Sequence, residues 1–267
     1  MKEIGIRAAT GAVYVGLTLL AAWAGPLPTL LLFLPVCIIA AGELHNLLHT
    51  TPDGGRTRCM AIAGTAYTLV AANAAAPLHF TGPMVAAGML LLVLTCITLL
   101  LARNAPNVGQ ELGVDLLMVS LIGFPFALLA HLVSFDSRLM IGIMILLWTN
   151  ETGAYLTGKF FGKHKMIPSI SPKKTWEGLF GGIGFTLLFA WFLSMAWDVV
   201  NLRHWLAIAA IVAVLSTLGD LLESALKRAR GVKDAGNILP GHGGILDRFD
   251  GLLLVAPGVW AYLVLLI

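Results

Sequence analysis

Long apolar runs, repeated along the whole chain, constrain this sequence more than any other feature. A helix needs about 20 apolar residues to cross roughly 30 Å of hydrocarbon. Nine runs of about that length fall at approximately 7–24, 28–48, 60–79, 84–102, 114–133, 139–158, 178–197, 205–223 and 250–267. Backbone in lipid must satisfy its own hydrogen bonds, so a spanning segment is a helix or a strand of a closed barrel. Uninterrupted apolarity excludes the alternating pattern of a barrel. The sequence therefore predicts an all-α, polytopic membrane bundle of about nine transmembrane helices. Turn chemistry separates the runs, as in Gly25-Pro26-Leu27-Pro28, Pro52-Asp53-Gly54-Gly55, Thr81-Gly82-Pro83 and Asn104-Ala105-Pro106-Asn107. Composition agrees, with 58% of residues hydrophobic and 12% charged, against about 25% charged in soluble domains.

The basic residues set an expected orientation. With the N-terminus in the cytoplasm, the inside segments hold fifteen of the seventeen Lys and Arg, and the outside loops hold only Arg138 and Arg203. That is a strong positive-inside bias. Lys2 and Arg7 before the first run resemble a secretory signal, but the many runs that follow make it an uncleaved first span. A net charge of +3 is too small to suggest nucleic acid as a partner. Cys37, Cys59 and Cys96 form no CxxC or metal-type pair and read as small buried hydrophobes.

Function is expected in the second half. Residues 1–135 read as about five apolar spans with sparse charge, and 136–267 as a catalytic membrane region. Two cytoplasmic loops there, 159–177 and 224–249, hold ten of the seventeen basic residues.

The densest chemistry runs from Gly219 to Gly251. Asp220 and Glu223 are three apart and Lys227 is four further on, so a continued helix places them on one face. Asp247 and Asp250 repeat the three-residue spacing before the last span. Carboxylates at membrane depth are costly and face partners or polar cavities. Carboxylates can hold Mg²⁺, and Lys and Arg can neutralise phosphate oxygens. Two metals about 3.5–4 Å apart can clamp the attacking and leaving oxygens of a displacement at phosphorus. Gly241, Gly243 and Gly244 permit close backbone approach to anions.

The stretch Ser224-Ala-Leu-Lys-Arg, then Lys233-Asp234, then Pro240-Gly-His-Gly-Gly-Ile-Leu-Asp-Arg-Phe-Asp250 resembles the signature of phosphatidate cytidylyltransferases (CDP-diacylglycerol synthases). Thr152-Gly-Ala-Tyr155, Gly158-Lys-Phe-Phe-Gly-Lys163 and Ser169-Ile-Ser-Pro-Lys-Lys-Thr-Trp-Glu-Gly178 look like the preceding block of that family. The family usually has Asp before Thr-Gly-Ala-Tyr. Glu151 keeps the carboxylate but lengthens its reach by one methylene.

The resemblance implies that phosphatidate and CTP react to give CDP-diacylglycerol and pyrophosphate. The attacking lipid phosphate is already ionised near neutral pH, so no strong general base is required, and positioning and charge neutralisation carry the catalysis. Under this reading Asp220 and Asp247 are the leading metal ligands, with Glu223 and Asp250 in support, and Lys227 joins Asp220, Asp247 and Asp250 in the catalytic set. Lys173, Lys174, Lys227, Arg228, Lys233 and Arg248 are phosphate contacts. Ser171, Trp176, His242, Gly243 and Gly244 complete the substrate-binding set, His242 donating a hydrogen bond or shaping the glycine loop. The cofactor is Mg²⁺, as two divalent ions or a divalent with a monovalent ion. The resemblance also suggests a homodimer. The compact chain suggests a bacterial inner (cytoplasmic) membrane, with the active site facing the cytoplasm and the lipid entering laterally.

Two other readings compete. A CTP-dependent lipid or polyprenol kinase would release CDP, and an ion or anion transporter would scatter carboxylates at mid-span in repeated halves. A CDP-alcohol phosphotransferase fails, because Asp250-Gly251 continues with Leu-Leu-Leu instead of the aspartate-rich motif. Elsewhere, Glu43 with His45 and His49 reads as an interfacial polar cluster or a carboxylate bonded to another helix, more readily than as a metal site. Asp115 reads as a helix-start charge favoured by the helix dipole. Trp23, Trp197, Trp205 and Trp260 read as interface anchors.

Overall fold

The structure, a computed structural model, describes residues 2–49, 55–75, 82–102, 107–239 and 243–266. Helices form most of each of the nine apolar runs within those residues. Six of them are long and apolar enough to cross a membrane: Pro26–Leu48, Val108–Phe135, Ser137–Phe161, Trp176–Ala196, Leu202–Ala229 and Leu246–Leu266. The molecule is a polytopic helical membrane protein, and its chain forms two compact units.

The first unit comprises Met1–Ser134 with Lys233–Arg248. It holds α1 (Lys2–Ala24), α2 (Pro26–Leu48), α3 (Gly55–Ala75), α4 (Gly82–Ala102) and α5 (Val108–Leu117). A π-helical segment, Met118–Gly123, leads on to α6 (Phe124–Phe135). Gly25, at φ 113°, makes the tight turn between α1 and α2, and Pro26 opens α2 where no amide partner is needed. Lipid supplies no hydrophobic drive between helices, so close approach of small residues matters. A Cβ on Gly123 would sit 2.8 Å from the Ala63 carbonyl oxygen and 2.9 Å from the Ala66 side chain, so glycine lets the π-helical segment lie directly on α3. Beneath it Phe33 and Phe126 pack with ring centroids 5.9 Å apart.

The fifth helix begins at Val108, earlier than the run at 114 suggested, and this corrects the reading of Asp115. Asp115 is no helix-start charge. It is 1% exposed and pairs with Arg58 of α3 at 3.1 Å, and Glu111 one turn earlier also pairs with Arg58.

The second unit comprises Phe135–Val232 with Phe249–Ile267. It contains α7 (Ser137–Phe161), β1 (Lys165–Ile167), β2 (Ser171–Thr175), α8 (Trp176–Ala196), α9 (Leu202–Ala229) and α11 (Leu252–Leu266); the short α10 (Leu246–Phe249) precedes α11. Side-chain caps start three of its helices: Asp136 accepts from Arg138 N–H, Thr175 from Gly178 N–H and Asn201 from His204 N–H. Glycines let α8 lie on α7. A Cβ on Gly178 would come 2.9 Å from the Ala154 carbonyl oxygen, and one on Gly182 would come 2.6 Å from the Asn150 amide oxygen. Trp205 is fully buried and packs where Gly142 of α7 lacks a side chain. It is a core residue, which corrects its reading as an interface anchor, whereas Trp23 is 75% exposed.

The loop read at 159–177 contains an antiparallel hairpin, β1 against β2, pairing Lys165 with Thr175 and Ile167 with Ser171. The Glu177 carboxylate ties it down, accepting from the backbone N–H groups of Lys163 and His164. The hairpin places Lys173 and Lys174 on β2, directly before α8.

Candidate functional site: a carboxylate cluster with two lysines

Helix α9 runs on past the apolar stretch to Ala229, so Asp220, Glu223 and Lys227 do lie on one helical face. Asp250 reaches them because two glycines remove the obstruction. A Cβ on Gly219 would collide with the Asp250 carbonyl oxygen, and Gly251 lies against Ser216, where an added Cβ would be 3.1 Å from the serine Cβ. Backbone therefore meets backbone at this point, and the aspartate beside each glycine is carried to the same place. One oxygen from each of Asp220, Glu223 and Asp250 falls within 4.8 Å of the others.

Helix α9 is held there by polar contacts to α7, which α8 joins. Asn150 Nδ2 donates to Ser216 Oγ at 2.9 Å, one turn before Asp220, and Thr186 Oγ1 donates to Asn150 Oδ1 at 3.4 Å. Buried hydrogen bonds of this kind fix helix rotation, and hence which side chains face inward.

Two lysines attend the cluster. Lys227 Nζ pairs with Glu223 Oε2 at 2.5 Å, one helical turn along. Lys174 reaches in from the hairpin, with Nζ 2.7 Å from Asp220 Oδ2 and 3.4 Å from the Thr217 carbonyl oxygen. Ser224 Oγ donates to the other Asp220 oxygen at 3.1 Å. Fully ionised, three carboxylates exceed the two ammonium groups by one negative charge. The hard oxygen donors suit a divalent cation of the Mg²⁺ type, so the residues present fit a metal ion. Glu223 is 4% exposed, whereas the Asp220 side chain is 41% exposed, so the cluster has a sheltered and an open side.

The remaining expected site residues take various positions. Lys173 is exposed on β2, and Ser171 is half-buried at its start. Trp176 is 47% exposed, its ring 6.5 Å from that of Phe180. Arg228 bridges backbone, donating to the carbonyl oxygens of Val232 at 2.9 Å and Ile170 at 3.4 Å, which ties the hairpin turn to the end of α9.

In the first unit, Asp247 Oδ2 accepts from the N–H groups of Gly244 at 2.7 Å and Ala235 at 2.9 Å. The Gly244 amide is thus turned to Asp247, and Gly243, at φ 83°, gives its carbonyl oxygen to Leu239 N–H at 2.9 Å. Lys233 and Arg248 are exposed. His242 lies outside the described residues.

Sequence reasoning passed over Gly219, Gly251, Ser216 and Asn150 as site-builders. The signal was there: each cluster aspartate sits beside a glycine, Gly219-Asp220 and Asp250-Gly251. Glu43 is a structural carboxylate, accepting from Ile245 N–H and Leu246 N–H. His45 and His49 stack with centroids 4.3 Å apart. Among the described residues, the Asp220, Glu223 and Asp250 set is the one group of three or more metal-type ligands found so close together.

These features define a class: a polytopic membrane protein with a lysine-flanked carboxylate cluster suited to a divalent cation. The chain belongs to the cytidylyltransferase family, whose model matches residues 5–266. It is similar to the phosphatidate cytidylyltransferase of Staphylococcus epidermidis, 43% identical over 143 residues, which are 53% of this chain and 55% of that protein. The Staphylococcus aureus protein of the same name is 43% identical over 145 residues, 53% of this chain and 55% of its own. The Bacillus subtilis one is 48% identical over 122 residues, 45% of each chain. The chain thus spans about half the length of the curated relatives it matches.

Proposed function

We propose that this protein is a CTP:phosphatidate cytidylyltransferase. An oxygen of the phosphatidate phosphate attacks the α-phosphorus of CTP. The bond from that phosphorus to the bridging oxygen breaks, and pyrophosphate leaves with the electron pair. CDP-diacylglycerol is the product. The observation that carries the reading is the meeting of Asp220, Glu223 and Asp250 within 4.8 Å, with Lys174 and Lys227 on two of them. Family membership and the names of the similar proteins support it.

In this reading Asp220, Glu223 and Asp250 hold Mg²⁺, which supplies charge neutralisation at the phosphate oxygens. Lys174 and Lys227 put ammonium groups beside those carboxylates, where they also meet phosphate. Lys173, Arg228, Lys233 and Arg248 are further phosphate contacts, and Ser171 and Trp176 line the approach. Asp247, three residues before Asp250 in the chain, is a further catalytic carboxylate and metal ligand, as the resemblance implies. Gly243 and Gly244 shape the loop that carries it, with His242 between them and Pro240. The basic loops face the cytoplasm of a bacterial inner membrane, in keeping with the charge asymmetry. The protein is a homodimer, as the resemblance suggests.

The test uses purified protein in phosphatidate-containing vesicles with α-³²P-labelled CTP and Mg²⁺. Label should enter the lipid fraction with an equal amount of pyrophosphate in solution, and EDTA should abolish both. Label absent from lipid, with folded protein present, overturns the proposal; transfer from γ-labelled CTP in its place indicates a lipid kinase.

A further inference from the structure

We propose that Glu43 is a positioning residue: its buried carboxylate anchors the backbone at 244–246 and so sets the orientation of Asp247 for the reaction. This rests on the cytidylyl-transfer reading above, and every contact used lies within the first unit.

Glu43 is on α2 and is 3% exposed. Its Oε1 accepts from Ile245 N–H at 3.1 Å and its Oε2 from Leu246 N–H at 2.7 Å. A buried carboxylate is expensive unless donors surround it. The loop provides those donors, and its composition makes room for the acceptor. A Cβ on Gly244 would lie 2.6 Å from Glu43 Oε2, and one on Gly236 would collide with the same carboxylate. Two glycines more than 190 positions away in the chain therefore form the socket for one α2 side chain.

The loop is stapled a second time from within. Asp247 Oδ2 takes the N–H of Gly244, the residue just before the two that Glu43 holds, and the N–H of Ala235 across the loop. Three consecutive amides, 244 to 246, thus point at two carboxylates. A Cβ on Gly243, the positive-φ residue before them, would lie 2.8 Å from Asp247 Oδ2. The backbone that sets Asp247 is therefore fixed from α2. Shifting the Glu43 contact moves the amides that orient the aspartate, while Asp220 and Glu223 lie on a different element.

The choice of Glu follows from the donors. Both oxygens accept, so Gln would turn an amide donor toward one of the two N–H groups. Asp keeps two acceptors with a shorter reach.

The experiment compares full-length wild type, Glu43→Gln, Glu43→Asp and Gly244→Ala in detergent. Three quantities are measured: label transfer against Mg²⁺ concentration, melting temperature, and hydrogen exchange of the 233–248 peptides. Residues that orient metal ligands typically cost about 10–100-fold in metal affinity or activity when changed. Glu43→Gln should therefore raise the half-saturating Mg²⁺ about tenfold or more and speed exchange at 244–246, with exchange in α7, α8 and α9 unchanged. Glu43→Asp should recover part of the loss, and Gly244→Ala should reproduce it without altering any charge.

Wild-type Mg²⁺ dependence and wild-type loop protection in Glu43→Gln overturn the proposal. If Glu43→Gln does not fold, the same result in Gly244→Ala overturns it. If wild type itself transfers no label, the cytidylyl-transfer reading fails, and the exchange data still decide whether Glu43 anchors the loop.

Discussion

Asp220 and Asp250 occupy equivalent places, each beside a glycine at the point where α9 and the start of α11 touch. In the proposed reading, removing either carboxylate deletes a metal ligand without altering that contact. Asp220→Ala and Asp250→Asn should therefore lower transfer by about 100-fold or more, judged by outer-shell changes that already cost 10–100-fold, while membrane insertion and melting temperature persist. Substantial transfer by both variants at saturating Mg²⁺ would sink the metal assignment. Lys227 is expected to behave differently. Its partner Glu223 is 4% exposed, and a buried pair broken on one side costs about 3–5 kcal/mol. Lys227→Met should lower the melting temperature as well as activity, which thermal denaturation in detergent can read. Asp220 and Glu223 were legible in the sequence because three-residue spacing on a continuing helix dictates a shared face. Glu43 was only partly legible, since its partners lie 202 and 203 positions away and no local pattern points to them.

The apolar helices were the easiest elements to read, because span length follows from bilayer thickness and not from tertiary detail. The β1–β2 hairpin was not legible. Its strands are three and five residues long, and Lys and Pro within them give no β signal. Asp115 and Trp205 were misread for a related reason: apolarity marks the middle of a helix, not its ends or its neighbours. The glycine contact between α9 and α11 leads to a sharper expectation. Gly219→Ala drives a methyl against the Asp250 backbone, so it should separate the cluster and lower transfer about tenfold or more with all three carboxylates intact. Activity at the wild-type level in a folded Gly219→Ala protein would contradict the packing argument. At the other end of α7, Asp136 caps the helix through Arg138 N–H. Its side-chain hydrogen bond with Arg138 holds its pKa below the usual 3.8. Because the folded value is depressed, the stabilisation is complete above the unfolded pKa and is lost as pH falls through the folded one. Asp136→Ala should cost about 1 kcal/mol at neutral pH, and melting curves at decreasing pH should show wild type converging on the variant.

At the scale of the molecule, the polar residues are few and concentrated where helices end or touch. Twelve per cent charge leaves little to spare on mere solubility, and two runs of about thirty residues hold most of the chemistry. Lysines from the hairpin and from α9 meet the same acidic cluster, so the hairpin is part of the candidate site and not a passive connection. Family membership was legible from those two runs, because the motifs are long and rich in residue types that apolar spans exclude. The most direct test of the central claim, that the Asp220, Glu223 and Asp250 cluster holds the metal used in transfer, is Mn²⁺ binding followed by electron paramagnetic resonance. Wild type and the Asp220→Ala variant would be titrated with CTP present, and label transfer measured on the same samples. Tight Mn²⁺ binding and transfer in wild type, both lost together in the variant, is the predicted result. Unchanged Mn²⁺ binding and unchanged transfer in Asp220→Ala would contradict it.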